Sequence, residues 1–120
     1  MNLQSLIQSH WGYILEEYGF VKASSKVLGH DPKTGQIHEV VEFESPIGRL
    51  LVERIDWEIN AQVSNCYEWK YVRSFNAERS EMSFEELLQD IPNLPRSDNE
   101  MIDSLKKHLL IALTVLANET

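Results

Sequence analysis

Residues 39–63, EVVEFESPIGRLLVERIDWEINAQV, are the densest run of strand-forming side chains in the chain. Val, Ile, Phe and Trp recur through it, and β-branched and aromatic residues suit a pleated, half-buried surface. The run predicts the centre of an antiparallel sheet, with helices before and after it to cover one face. It is broken once, at Pro46, Ile47 and Gly48, where a turn is expected. Before that turn, Val41 and Phe43 share one face with Glu39, while Val40, Glu42 and Glu44 share the other. Beyond it, Leu51, Glu53, Ile55, Trp57, Ile59, Ala61 and Val63 hold the odd positions, and Arg54, Asp56, Glu58, Asn60 and Gln62 the even ones. A single strand over 49–63 would extend roughly 50 Å at about 3.3 Å per residue, in a chain whose expected radius of gyration is about 14 Å. A turn or sharp bend around 54–57, giving two strands, is therefore expected; one long bent strand is the alternative.

Working outward, residues 2–18 read as an amphipathic helix, with Leu3, Leu6, Ile7, Ile14 and Tyr18 on one face and Gly19 as its stop. Residues 20–30 predict a first strand, and Lys22 and Lys26 place it at an edge, where lysine discourages unwanted pairing. Asp31, Pro32, Lys33, Thr34 and Gly35 form a turn signal before a second strand over 37–45. After Ser64 and Asn65, the alternation of Tyr67, Trp69 and Tyr71 with Glu68 and Lys70 favours a fifth strand over 66–75, a short helix being the alternative. Two capping boxes follow, Ser83 with Glu86 and Ser97 with Glu100. The first opens a helix with Phe84, Leu87, Leu88 and Ile91 as its stripe, stopped by Pro92. The second opens a helix to about Ala117 with Ile102, Leu105, Leu109, Ala112, Leu113 and Leu116 facing inward. Its end is apolar nearly all round, which implies burial on several sides or a subunit interface. The fold class expected is α+β: an N-terminal helix, a four- or five-stranded antiparallel meander, and two C-terminal helices packed on one sheet face, in one domain over 1–120.

Composition bounds the function. The 120 residues hold 19 acids against 11 Lys and Arg, a net charge of −8 that disfavours a nucleic-acid partner. Glu78, Glu81, Glu85, Glu86, Asp90, Asp98, Glu100 and Asp103 stand against Arg79 and Arg96, so 78–103 carries −6 of that charge. These acids read either as solvated helix faces and helix N-termini or as a surface that receives a basic partner. For the second reading the contact residues are Glu78, Glu81, Glu85, Glu86, Asp90, Asp98 and Glu100, together with exposed strand carboxylates. With Cys66 the only cysteine, an internal disulfide and a multi-thiolate zinc site are both out of reach. The N-terminal stretch lacks the pattern of a secretory signal, and no window is apolar enough to span a bilayer, so no membrane partner and a cytoplasmic location are expected.

Signatures of chemistry are sparse. His10, His30, His38 and His108 show no metal-ligand spacing, although a hairpin about 31–35 can bring His30 and His38 close. No phosphate-cradling glycine pattern, no catalytic-cysteine context at Cys66 and no cofactor motif is present, so neither a metal, a cofactor nor an enzymatic activity is expected. Glu42 and Glu44 are expected to pair with Arg49, Arg54 or Lys70, and Tyr67, Trp69 and Tyr71 to pack in the core or on a sheet face.

The succession YGF over 18–20, DPKTG over 31–35, VVEFES over 40–45 and RLLVER over 49–54 resembles a loose group of small uncharacterised bacterial α+β proteins. Some compact acidic proteins of that look are immunity proteins found beside toxins. The resemblance covers the first half of the chain and implies a non-enzymatic, protein-binding role. Two other functions stay open. One is a secretion-type chaperone, similar in being small, acidic and helix-flanked, forming a homodimer through the C-terminal helix. The other is a small-ligand or enzymatic domain with a pocket between sheet and helix.

Overall fold

A computed structural model describes residues 2–30, 37–55, 58–64, 69–72 and 97–119. The elements are α1 (Leu3–Glu17), β1 (Val21–His30), β2 (Ile37–Ser45), β3 (Gly48–Ile55), β4 (Glu58–Ser64), β5 (Trp69–Tyr71) and α2 (Asp98–Glu119). The strands form one antiparallel sheet in sequence order, β1-β2-β3-β4-β5, with both helices on one face. The architecture is α+β. The expected helix over 83–91 and most of the acidic segment lie outside the described residues.

α1 begins where the Asn2 side chain accepts from the Ser5 amide at 2.8 Å, an N-cap that satisfies one of the orphan amides. It ends in a Schellman arrangement: Phe20 N donates to Leu15 O at 2.8 Å and Gly19 N to Glu16 O at 3.1 Å. Gly19 supplies the left-handed φ of +75° that this stop requires. Leu3, Leu6, Ile7, Trp11, Ile14 and Leu15 form the buried stripe. α2 starts at Ser97, whose hydroxyl accepts from the Glu100 amide at 3.2 Å. All six residues expected to face inward on α2 are buried, joined by Met101 and His108. The two helices meet where Trp11 Nε1 donates to the Ile102 carbonyl at 3.2 Å. Outside that contact, Lys106 lies over the Tyr13 ring at 5.0 Å, and a hydrogen bond with Tyr13 raises the pKa of the lysine, against an opposing desolvation.

The expected division of the central run is present: β3 ends at Ile55 and β4 begins at Glu58, and those two residues are register partners. The consequence is a change of parity. Antiparallel partners lie on the same face, and each β3–β4 pair joins an odd residue to an even one, as in Val52 with Ala61. The inward residues are therefore Leu50, Val52 and Arg54 in β3 but Ile59, Ala61 and Val63 in β4. The odd-numbered face read continuously through 51–63 is thus corrected in its first half: Leu51, Glu53 and Ile55 turn outward. At the other end of β3, Ser45 pairs with Gly48 across the Pro46 turn, whose Gly48 φ of 150° favours glycine.

β1 is an edge, as its lysines suggested, and two register irregularities, at Lys22/Ser24 and Val27/Gly29, break its pairing with β2. Bulges and lysines both discourage indiscriminate edge pairing. β5 at the other edge spans three residues and ends at Tyr71, short of the strand expected over 66–75; the buried Val72 is already helical, and the rest of that stretch falls outside the described residues.

Candidate protein-binding surface

Two faces of the sheet treat charge in opposite ways. On the helix side, Glu39 and Arg54 are direct partners between β2 and β3 and are both buried. Arg54 Nη2 donates to Glu39 Oε1 at 3.0 Å, and Nη1 donates to Asp98 at the start of α2. The other Glu39 oxygen accepts from the Leu3 amide at 3.0 Å. One cation and two carboxylates thus fasten the N-termini of α1 and α2 to the sheet, where helix dipoles favour negative charge. The expected pairing of Arg54 with Glu42 or Glu44 is corrected: register sends Arg54 to the covered face and those glutamates to the other. Lys70 pairs in register with the buried Val63, and so also belongs to the covered side.

The face that α1 and α2 leave uncovered displays Glu42, Glu44, Glu53 and Glu58, with Arg49 from β3 and Lys26 from β1. Arg49 Nη2 donates to Glu42 at 2.6 Å, and its Nε lies 4.0 Å from Glu44. The same guanidinium sits over the Trp69 ring at 5.4 Å. The β-ladder brings these groups together: Glu44, Arg49, Ser64 and Trp69 follow one another across four strands. Tyr71 lies in the adjoining row with Gln62, Leu51 and Glu42. Trp69, Tyr71 and Ile55 are exposed. At the far end, His38 Nε2 and Glu53 Oε2 are 2.8 Å apart. His38 pairs with Gly29 and His30 with Ile37, so the register does not set the two histidines opposite one another. Among the described residues, no group of three or more His, Cys, Asp or Glu side chains is placed to hold a metal, and no helix is long and apolar enough to cross a membrane.

Of the acids expected to meet a partner, Asp98 is committed to Arg54, and Glu100 is exposed in the first turn of α2. Glu78, Glu81, Glu85, Glu86 and Asp90 lie outside the described residues, as do Cys66 and Tyr67. Sequence reasoning missed the Arg49–Trp69 stack and the His38–Glu53 pair. Each joins residues on different strands through the register, and no local motif announces either.

No family model, no curated protein and no solved structure matches the chain.

Proposed function

We propose that this chain is a non-catalytic protein-binding module, an immunity-type inhibitor that captures a basic partner in the cytoplasm. The observation that carries the reading is the uncovered sheet face, where Glu44 and Glu42 lie in the rows of exposed Trp69 and Tyr71, and Glu53 and Glu58 lie beside exposed Ile55. Aromatic residues and arginine dominate binding hot spots, and surrounding charge mainly speeds encounter and selects the partner. Arg49, already held by Glu42 and Trp69, loses little freedom on docking. The charge of Glu78, Glu81, Glu85, Glu86, Asp90 and Glu100 adds to the attraction for a basic surface.

The test is affinity capture by the tagged full chain from its native lysate, at low and high salt. A single basic protein retained at low salt and shed at high salt supports the reading, and nothing retained at either salt counts against it. Glu44→Lys with Glu58→Lys is expected to weaken capture, as is reversal of Glu85, Glu86 and Asp90. Capture that survives both sets of reversals removes the acidic surface from consideration.

A second reading, a dimeric secretion-type chaperone, is favoured by α2. Leu110, Ile111, Thr114 and Val115 line an open, mostly apolar hollow of about 300 Å³ there. Sedimentation as a monomer at micromolar concentration would exclude it.

A further inference from the structure

β1 stands at the edge of the described sheet, with β2 on one side and no described strand on the other. An edge strand presents outward-facing backbone N–H and C=O groups. Val21, Val27 and Leu28, all more than half exposed, add apolar surface to the same strand. Between the start of β1 and α1 runs an open groove of about 350 Å³, with Leu15, Phe20 and Phe43 in its apolar lining and Gln4, Gln8, Glu16 and Lys22 supplying polar groups. Gln4, Gln8, Gly12 and Glu16 succeed one another at four-residue intervals along one side of α1. Gly12 keeps that wall low: a methyl group there would press within 3.3 Å of Gln8 Nε2.

Charge indicates what fits this edge. β1, VKASSKVLGH, holds two lysines and no acid in a chain of net charge −8. Lys22 donates to Gln4 Oε1 at 3.3 Å on the helix side, whereas Lys26 pairs with Val40 and belongs to the uncovered face. Each side of the strand therefore carries one cation. A second copy of β1 would bring two more lysines and no acid to the pair, and so offers these lysines no opposite charge. A strand carrying carboxylates meets the same lysines favourably.

We propose that the β1 edge docks an extended, acidic segment of a partner protein as a further antiparallel strand. Its carboxylates lie beside Lys22 and Lys26, and one of its apolar side chains enters the groove against α1. Strand addition draws affinity from main-chain hydrogen bonds and specificity from alternate side chains. The site adjoins the acidic face through Lys26 and differs from it in lying at the backbone edge of β1.

The test is a titration of the ¹⁵N-labelled full chain with a blocked nine-residue peptide alternating Glu and Val, and with its counterpart alternating Lys and Val. The acidic peptide is expected to shift the amide resonances of 21–29 and the side-chain amides of Gln4 and Gln8, and the basic peptide to leave them in place. Lys26→Glu, at an exposed site where folding is checked by circular dichroism, is expected to weaken the acidic peptide about tenfold. The proposal is overturned by unmoved β1 resonances at millimolar acidic peptide, by equal response to both peptides, or by undiminished binding to folded Lys26→Glu. It is equally overturned if the free chain sediments as a dimer whose β1 amides are protected from exchange.

Discussion

β2 and β3 carry two Glu–Arg pairs, one on each face of the sheet, and the contrast separates architecture from recognition. Glu39 and Arg54 are buried together at 3.0 Å, with Asp98 and the Leu3 amide completing the cluster. Glu42 and Arg49 are closer, at 2.6 Å, yet the Arg49 side chain is 45% exposed. Distance alone would rank the outer pair first. Solvent reverses the ranking, because removing one partner of a buried pair strands an uncompensated charge, whereas water replaces the partner of an exposed one. The inner pair fixes where two helices sit; the outer pair shapes a surface.

Several substitutions sharpen or break that contrast. Arg54→Ala is expected to have the largest effect, destabilising by about 3–5 kcal/mol in urea unfolding. Replacing the inner pair as a unit, Glu39→Leu with Arg54→Met, should recover much of that loss, leaving a deficit of about 1–3 kcal/mol for the Leu3 amide without its acceptor. A double variant no more stable than Arg54→Ala would show that shape, not charge, makes the site. Leu50→Ala, in the core on the helix side of β3, is expected to cost about 2–5 kcal/mol, and with it the helix side is tested without touching charge. Ser97→Ala, removing the cap of α2 beside Asp98, should cost about 1 kcal/mol. Arg49→Ala is expected to be smallest, about 0–1 kcal/mol and shrinking with added salt. A loss from Arg49→Ala as large as that from Arg54→Ala would erase the distinction between the faces.

Most of the fold could be read from local signals, because caps, turns and apolar period all act within a few residues. Ser97 at a helix start, Gly19 at a helix stop, the Pro46 turn and the lysines of β1 are of that kind. The break near Arg54 followed from length alone, since an unbroken strand would outgrow the domain. What local pattern could not supply was parity. Periodicity over 51–63 runs smoothly in sequence from β3 into β4, which would put Ile55 and Ile59 on one face, although Ile55 is exposed and Ile59 buried. The same cause hid the partner of Arg54, because only the β2–β3 register matches it with Glu39. Of the proposed surface, the strand carboxylates Glu42 and Glu44 were legible from their spacing, and the aromatic part was not: Trp69 meets Arg49 across two strand boundaries, and spacing in sequence carries no trace of that stacking.

The placement of two tryptophans has an optical consequence. Trp11 is fully buried, its indole N–H held by the Ile102 carbonyl where α1 meets α2, and Trp69 lies partly in solvent beneath Arg49. In a Trp57→Phe background the chain carries two tryptophans in unlike surroundings, one blue-emitting within the helix pair and one redder on the outer face. Unfolding shifts the first, and a partner settling on the uncovered face quenches or shifts the second. Without any added label, separation of the helices and occupation of the surface can be followed on one molecule as two different colours.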